Sequence, residues 1–202
     1  MRSERSTDAF RTLEKRARDL EEASHRDPLT GLYTRAWFDG QLAEWFGEAR
    51  ETMTPLTVIL ADIDGLHAIN EAHGHSAGDK VIFSVAACLK QRLRPRDPMA
   101  RHTGAAFTIL LPRAGAAAGR IVAERLRAGV AEADHAVAVA QTLRVTVSLG
   151  CATLERGGFA TRQQIMEAAG RALAAAKRAG RDQVVSVVDA TGESLDRPAP
   201  SV

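Results

Sequence analysis

The sequence contains few aromatic residues, and neither sign of charge is in large excess. Phe, Trp and Tyr together make up 4% of the 202 residues, which argues against a surface that stacks nucleic-acid bases. Lys and Arg number 27 against 25 acidic residues, and the net charge of +2 gives no electrostatic reason to expect a nucleic-acid partner. We therefore expect a protein that does not bind nucleic acid.

Cysteine spacing and the lack of long hydrophobic runs exclude two further classes. Cys88 and Cys151 are isolated in apolar stretches without C-x-x-C spacing. They indicate buried free thiols in a reducing compartment, and neither a disulfide nor a metal site. No apolar run approaches the roughly 20 residues that a membrane-spanning helix needs. We expect a cytoplasmic chain without membrane contact of its own, although it can have been cut from a longer membrane protein.

Three segments follow from composition and pattern. Residues 1–25 predict an N-terminal helix with a narrow apolar stripe formed by Phe10, Leu13, Ala17 and Leu20. The stripe can pair with a second copy, giving a homodimer, or lie on the domain; the polar character of the other faces favours pairing. With 45% apolar residues, the chain can form one domain with a sizeable core over residues 26–189. Residues 190–202, which contain Gly and Pro, predict a disordered tail.

Hydrophobic periodicity predicts a helix followed by the order β-α-α-β-β-α-β-β-α-β. This order implies a central mixed sheet with helices packed over it. The longer predicted helices cover residues 35–50, 79–93, 116–131 and 161–178, and a nine-residue loop is predicted over 71–79. Predicted strands outside the hairpin described next cover residues 57–64, 136–140, 143–154 and 183–188.

Residues 94–112 combine a charged segment with a predicted β-hairpin. The hairpin turns at Thr103-Gly104, and Gly104 allows the backbone to turn sharply and to approach a ligand. The charged segment holds Arg94, Arg96 and Asp97 within four positions. Guanidinium groups beside a carboxylate suit a ligand that is both a purine and a phosphate. A solvated helix end followed by an ordinary hairpin is the alternative interpretation.

Two carboxylates, Asp62 and Asp64, stand at the end of the strand predicted over 57–64. Alternation places both on one side of the strand. Paired acids at the carboxyl end of a strand commonly serve cations in α/β sheets, and capping of the next loop is the alternative. In that loop, His73 and His75 lack a third nearby ligand, so they are weak evidence for a metal site.

Several stretches together resemble the GGDEF family of diguanylate cyclases. Residues 27–35 read D-P-L-T-G-L-Y-T-R where the family shows D-x-L-T-G-L-x-N-R, and residues 62–70 read D-I-D-G-L-H-A-I-N for D-I-D-x-F-K-x-I-N. G-H-x-x-G-D at 74–79, V-T-V-S-L-G at 145–150 and A-K-R-A-G-R at 176–181 also match. The resemblance covers about residues 25–188. It implies an α+β fold of the nucleotidyl-cyclase or palm-like type, with a central mixed, mainly antiparallel sheet flanked by helices.

The resemblance also implies a reaction and a set of site residues. In this family two facing copies join two GTP molecules into cyclic di-GMP, and each copy holds GTP with two divalent ions, Mg²⁺ or Mn²⁺. By matching positions, Asp62 and the backbone of Ile63 would bind metal. Asn70 and Asp79 would bind guanine, because a carboxylate accepts hydrogen bonds from its N–H groups. The phosphates would be contacted by Lys177 and Arg181.

The signature of the family is altered in this chain. Thr103-Gly104-Ala105-Ala106-Phe107 stands where the family shows G-G-[DE]-E-F, and His67 replaces the usual phosphate-binding lysine. A methyl group can neither bind a metal nor accept a proton. Losing one preorganised charge costs on the order of a hundredfold in rate, so we predict no cyclase turnover. Natural decay and deliberate disabling of a working enzyme both explain the alanines at Ala105 and Ala106.

One feature of the family is intact in the charged segment. Arg94-x-x-Asp97 resembles the inhibitory R-x-x-D site, which binds the product, cyclic di-GMP, without a metal. Arg94 would present a two-pronged donor to guanine O6 and N7, and Asp97 would accept from a guanine N–H. Arg125 falls where the family supplies another arginine. A helix-end salt bridge between Arg94 and Asp97 is the alternative.

The sequence leaves three functions open. The leading hypothesis is an inactive GGDEF-family domain that binds cyclic di-GMP through Arg94, Asp97 and Arg125 and passes the binding to an unidentified protein partner. The second is a diguanylate cyclase disabled at Ala105 and Ala106. The third is a GTP-binding or dimerising module.

Overall fold

The strands pair into one seven-stranded sheet and one separate hairpin. The computed structural model describes residues 24–138, 141–155, 158–188 and 193–194. The sheet contains β1 (Tyr33–Thr34), β2 (Leu56–Ile63), β3 (Met99–Thr103), β4 (Ala106–Pro112), β7 (Val147–Leu154), β8 (Val184–Val188) and β9 (Glu193–Ser194). The separate hairpin consists of β5 (His135–Ala138) and β6 (Gln141–Leu143).

The order across the sheet is β1-β3-β4-β2-β7-β8-β9. Pairing is parallel between β1 and β3 and between β7 and β8, and antiparallel between the other neighbours. The predicted mixed, mainly antiparallel sheet is therefore confirmed. The strand β2 lies at its centre, so the residues that follow β2 meet the start of β4 and of β7 at one edge.

Five described helices flank this sheet: α1 (Arg35–Glu51), α2 (Leu66–His73), α3 (His75–Gln91), α4 (Ala116–Ala131) and α5 (Arg162–Arg178). Thr34 caps α1, and Thr161 forms a capping box with Gln164 at the start of α5. Because side chains alternate along β2, Ile59 joins a core with α3 and α4, whereas Val58 joins a core with α1 and α5. The fold thus has a helical layer on each face, as the sequence predicts.

Two of the predicted boundaries are wrong. The loop predicted over 71–79 shrinks to Gly74, which ends α2 with a φ of 81° so that α3 begins at His75. The strand predicted over 143–154 is interrupted at 144–146, because Leu143 pairs with β5 in the separate hairpin and β7 begins only at Val147. The first error is one of local conformation, because helix continues on both sides of Gly74, and the second concerns the choice of strand partner.

Other predictions fall partly outside the described residues. Residues 1–23 of the predicted N-terminal helix lie there, as does most of the predicted tail; Glu193 and Ser194 pair with β8. Cys88 and Cys151 are buried thiols that form no disulfide, as expected. Among the described helices, none combines the length and the hydropathy that a membrane crossing requires.

A partly buried ion pair ties the D-P-L-T-G-L turn to the hairpin of β3 and β4. Arg101 donates from Nη1 to Asp27 Oδ2 over 3.2 Å and from Nε to the carbonyl of Gly104 over 3.1 Å. Asp27 also accepts from the backbone N–H and hydroxyl of Thr30. Burial alone would raise the pKa of Asp27, but the Thr30 hydrogen bonds and the Arg101 charge outweigh it and lower the pKa below 3.8.

Replacing Asp27 with Asn should destabilise the fold by about 1–3 kcal/mol at neutral pH, since Arg101 loses its charged acceptor. A carboxyl group whose pKa is lowered on folding stabilises the fold above its unfolded pKa and loses that effect as pH falls through the folded value. The difference between the variant and the parent should therefore shrink as pH falls below the usual pKa of 3.8 and vanish only below the lower folded pKa of Asp27. Urea unfolding of the parent and the variant, at neutral pH and at a pH below the folded pKa of Asp27, measures this difference in stability.

The matched control is Asp39→Asn, because Asp39 is half-exposed and lies 3.8 Å from Arg35 in a surface pair. Its effect should stay within about 0.5 kcal/mol. Equal effects of the two substitutions would contradict the importance of the Asp27–Arg101 pair.

Candidate functional site

We use the word cleft for the place where the end of β2 meets the starts of β4 and β7 and the last turn of α5. Asp62 is the register partner of Ala106 on β4 and of Ser148 on β7. The backbone of α5 comes close to β7 at Gly150, where an added Cβ would lie 2.1 Å from the Leu173 nitrogen. This close approach carries the C-terminal turn of α5 over the end of β2.

Asp62 is paired with Lys177 in this cleft. Lys177 Nζ donates to Asp62 Oδ1 over 2.7 Å, and both side chains are partly buried. The resemblance assigned Asp62 to a metal and Lys177 to a phosphate, whereas here the two charges neutralise each other. The ammonium group donates a hydrogen bond to one of the two Asp62 oxygens, and a metal ion would need that oxygen as a ligand.

Asp64 is held by three donors. Its carboxylate accepts from the hydroxyls of Thr146 and Ser148, each over 2.8 Å, and from the backbone N–H of Asp182 over 3.1 Å. These contacts join β2, β7 and the loop after α5. Asp64 therefore ties the end of β2 to β7 and to the loop after α5, and it does not cap the loop that follows it, since the next helix has no side-chain cap.

The signature turn closes the cleft without any carboxylate. The backbone N–H of Ile63 donates to the carbonyl of Ala105 over 3.2 Å. The side chain of Ala106 is nearly buried. In the part of the chain that the structure describes, no three acidic, His or Cys side chains group as a metal site, and His73 and His75 are exposed.

The residues present therefore do not fit the two divalent ions that the family implies. A pair of metal ions bridged to phosphates needs several carboxylate oxygens. Asp62 is engaged by Lys177, Asp64 by three donors, and positions 105 and 106 carry methyl groups. No metal-dependent step can be derived from this arrangement.

Gly78 connects Asn70 with Asp79, because it packs against the Asn70 side chain and immediately precedes Asp79 in the chain. An added Cβ at Gly78 would lie 1.8 Å from Asn70 Oδ1, so only glycine leaves room for this amide. Asn70 Oδ1 is buried and has no hydrogen-bond partner among the described residues. Asp79 is exposed and lines a cavity of about 720 Å³ together with Leu29 and Phe83. Asn70 is not among the residues that line this cavity, so only the Asp79 carboxylate borders it as an acceptor for the N–H edge of a purine base.

Arg181 and His67 are both exposed. Arg181 follows α5, is exposed and has a φ of 66°. A positive φ at a residue other than glycine is uncommon, and it occurs more often near functional sites. His67 is exposed in the first turn of α2 and lies 3.1 Å from Glu71. It extends into solvent beside an acid, unlike a phosphate-binding lysine.

A second cavity, of about 370 Å³, contains the R-x-x-D residues. Arg94 and Asp97 line it with Arg26, Tyr33 and Lys90. Asp97 Oδ2 accepts from the backbone N–H of Arg94 over 3.1 Å, and the Asp97 N–H donates to the Arg94 carbonyl over 3.0 Å. Among the described residues no ion pair joins the Arg94 and Asp97 side chains, so the turn leaves the exposed guanidinium of Arg94 available to a ligand.

Arg125 lies beside this turn but does not line the cavity. Its Nη2 donates to the carbonyl of Arg92 over 2.7 Å. The structure therefore brings together Arg94 and Asp97 of the predicted trio and leaves Arg125 at the adjacent end of α3. In this position Arg125 supports the start of the R-x-x-D turn.

Comparison with known proteins identifies the family of this fold and these sites. The sequence profile described as "Diguanylate cyclase, GGDEF domain" matches residues 24–183. The chain belongs to the GGDEF family. Among curated relatives, diguanylate cyclase DgcP of Pseudomonas aeruginosa is 37% identical over 166 residues, which are 82% of this chain and 24% of DgcP. Probable diguanylate cyclase DgcT of Escherichia coli is 33% identical over 80% of this chain and 35% of DgcT.

Solved GGDEF structures agree with this assignment. The coiled coil and GGDEF domain of DgcB from Caulobacter crescentus, solved with cyclic di-GMP, has a TM-score of 0.85 and 31% identity over 92% of this chain and 97% of that chain. Diguanylate cyclase SiaD of Pseudomonas aeruginosa, solved with its activator SiaC, has a TM-score of 0.76 and 34% identity over 92% of this chain and 75% of that chain. This GGDEF chain spans only a quarter to about a third of DgcP and DgcT.

Sequence reasoning missed three residues of the GGDEF domain's second cavity. Arg26 lies 3.8 Å from the centre of the Tyr33 ring, and Lys90 comes from the last turn of α3. Tyr33 reaches the cavity because β1 pairs in parallel with β3, placing it beside Ala100. The only signal in the sequence was the position of Arg26 immediately before the D-P-L-T-G-L motif; long-range strand pairing supplies the rest.

Proposed function

We propose that this GGDEF domain binds cyclic di-GMP in the R-x-x-D cavity, lacks cyclase activity and acts as a receptor in cyclic di-GMP signalling. The observation that supports it most is the lining of that cavity. Arg26, Lys90 and Arg94 supply three cations there, and Asp97 supplies one carboxylate. The solved complex of the DgcB GGDEF domain with cyclic di-GMP adds support from a relative.

The chemistry of cyclic di-GMP matches these groups. Its two phosphates are anionic, and its guanine bases present O6 and N7 acceptors as well as N–H donors. An arginine such as Arg94 can donate to O6 and N7 at once, and a carboxylate such as Asp97 can accept from a guanine N–H. Arg26 and Lys90 line the same cavity and balance the phosphate charge. This contact set needs no metal ion.

The residues at the end of β2 support the proposed absence of cyclase activity. Ala105 and Ala106 remove both acidic groups of the signature. The remaining Asp62 carboxylate is neutralised by Lys177. An attacking hydroxyl would find no metal to lower its pKa, and no second carboxylate would hold that metal.

A receptor of this kind passes ligand binding to another protein. We propose that the N-terminal segment is the route and that the chain works as a homodimer with a further protein partner in the cytoplasm. The complex of SiaD with its activator SiaC is a precedent for a GGDEF protein with a protein partner.

Calorimetric titration tests the proposal directly. Cyclic di-GMP should bind with a dissociation constant in the micromolar range or tighter. GTP with Mg²⁺ is titrated in parallel. Binding of GTP alone would move the function to the cleft at Asn70 and Asp79, and binding of neither ligand would leave a dimerisation module.

A second candidate, GTP binding, is favoured by one specific observation. Asn70 Oδ1 is buried without a partner among the described residues. A buried acceptor without a hydrogen bond is costly, and a bound guanine would satisfy it. Under this candidate Asn70 and Asp79 hold the base, while Lys177 and Arg181 meet the phosphates.

A further inference from the structure

We infer that the cavity along α3 binds a small apolar molecule that carries a carboxylate, with the carboxylate at Arg92 and the apolar part beside Phe83. This cavity of about 720 Å³ is the larger of the two described above, and neither Arg94 nor Asp97 lines it. Its volume suits a single small molecule. The inference goes beyond the proposed function, because such a ligand is neither cyclic di-GMP nor GTP.

The floor of the cavity consists of two rows of side chains on α3. Within a row, successive residues are four positions apart, so they lie one above the other on the same face of the helix. One row contains Asp79, Phe83, Ala87 and Gln91, and the other contains Ser76, Lys80, Ser84, Cys88 and, just past the helix, Arg92. The cavity is therefore elongated along α3.

The middle of the cavity needs no polar group from a ligand, because its polar side chains bond to the end of α4 and to β5. The Ser84 hydroxyl lies 3.0 Å from His135 Nδ1, and His135 Nε2 lies 3.0 Å from the Val130 carbonyl. A carbonyl can only accept, so Nε2 of the neutral ring carries the hydrogen and Ser84 donates to Nδ1. Cys88 donates to the Gly129 carbonyl over 3.2 Å. This stretch favours an apolar ligand group.

Phe83 supplies apolar surface for that group. Its side chain is 55% exposed, whereas the other phenylalanines that the structure describes are buried. Ala87 lies one turn further along α3, and Ala133 and Ala136 border the cavity with methyl groups. An apolar chain laid along these residues removes the Phe83 ring from water, which is favourable in proportion to the area covered.

Arg92 supplies a cation at the far end of the cavity. Its Nη1 donates to the Cys88 carbonyl over 3.0 Å, and among the described residues no carboxylate forms an ion pair with it. The backbone of α4 packs against this side chain so closely that a Cβ at Gly129 would lie 1.8 Å from Arg92 Nε. The partly buried guanidinium is therefore held in place. A ligand carboxylate would give it the charged partner that such groups usually have.

Charge and length specify the ligand further. Asp79 stands at the opposite end of the cavity and disfavours the anionic head there. Lys80 is exposed and donates to the Val137 carbonyl over 3.3 Å, so water and salt already screen its charge. A helix rises about 1.5 Å per residue, which separates Phe83 from Arg92 by about 14 Å along α3. A medium-chain fatty acid such as decanoate extends over a comparable distance.

Calorimetric titration of the whole chain with decanoate, below the concentration at which it forms micelles, tests the inference. Decanoate should bind with a dissociation constant of about 100 μM or tighter. Decanol has the same chain without the charge and should bind about tenfold more weakly, because it offers Arg92 no charged acceptor. Absence of decanoate binding, or equal binding of the two compounds, would overturn the inference. Binding only to phosphatidylglycerol vesicles would also overturn it, in favour of a membrane surface. Cyclic di-GMP binding is titrated separately and stands or falls on its own.

Substitution of Arg92 provides the residue-level test. Arg92→Met should weaken decanoate binding by about tenfold or more and leave decanol binding unchanged, so the preference for the acid disappears. The matched control is Lys80→Met, since Lys80 is an exposed cation that lines the same cavity. Lys80→Met should keep the preference. An unchanged affinity for decanoate in Arg92→Met, or an equal loss in Lys80→Met, would contradict the inference.

A variant that fills the cavity tests the location without touching Arg92. Ala87 is exposed and lines the cavity, so Ala87→Phe should block the apolar chain while leaving the core intact. Decanoate affinity should fall at least about tenfold, and thermal unfolding should match that of the parent. Ala118→Phe is the matched control, because Ala118 is exposed on α4 and does not line the cavity. Undiminished binding in Ala87→Phe would place decanoate elsewhere on the protein and overturn the inference.

Discussion

Incubated with GTP and Mg²⁺, this GGDEF domain should release no cyclic di-GMP above the enzyme-free background. Each missing carboxylate costs on the order of a hundredfold or more in rate, and two together cost about ten-thousandfold. Ala106 stands beside Asp62 on the neighbouring strand, and Asp62 is held by Lys177. Chromatographic separation of GTP, cyclic di-GMP and pyrophosphate gives the measurement. Sustained product formation would contradict the proposed function.

Restoring the acids decides whether this chain is a disabled cyclase. The variant carries Ala105→Asp and Ala106→Glu, and its matched control carries Ala105→Asn and Ala106→Gln, which have the same size without charge. A natural receptor also lacks the phosphate-binding lysine, which His67 replaces, so both variants should stay inactive. Mg²⁺-dependent product from the acidic variant alone would establish the alternative, a cyclase disabled at Ala105 and Ala106.

The second large effect concerns the R-x-x-D cavity. Replacing Arg94 and Asp97 with Ala should weaken cyclic di-GMP binding by at least about a hundredfold, because a two-pronged arginine contact with guanine alone contributes about 1–3 kcal/mol. Both side chains line the cavity of about 370 Å³. Calorimetry with cyclic di-GMP is the measurement. Thermal unfolding of the double variant checks that its fold is intact.

Arg96 provides the matched control for this experiment. It lies in the same turn, is exposed and does not line the cavity. Arg96→Ala should therefore change the affinity by less than about twofold. Arg94→Lys keeps the charge but loses the planar pair of donors, so it should behave more like Arg94→Ala than like the parent. Equal effects of Arg94 and Arg96 substitutions would indicate non-specific attraction of the phosphates.

The elements of the fold were predictable where local pattern determines structure. The hairpin of β3 and β4 follows from alternation and from Gly104, which has a φ of 50°. The helix α5 follows from its capping residues and its apolar spacing. The break between Leu143 and Val147 was missed because both sides favour strands, and only the choice of partner separates them.

The two candidate sites were predictable only in part. The acidic positions of the signature and the R-x-x-D motif are short stretches that a sequence displays directly. The Asp62–Lys177 pair joins residues 115 positions apart, and it depends on the close approach of α5 to Gly150. Arg26 and Tyr33 reach the second cavity through parallel pairing of β1 with β3. Such contacts arise from tertiary packing, which periodicity does not encode.

Residues 25–27, where the described chain begins its path into the domain, contact both candidate sites. The Thr34 N–H donates to the His25 carbonyl over 2.7 Å, and Arg26 bridges to Tyr33. Arg26 lines the R-x-x-D cavity, while its neighbour Asp27 is bound by Arg101 beside the signature turn. A ligand that moves Arg26 therefore moves the anchor point of the preceding segment. Because Arg101 also donates to the Gly104 carbonyl, Asp27 is tied to the turn that holds Ala105.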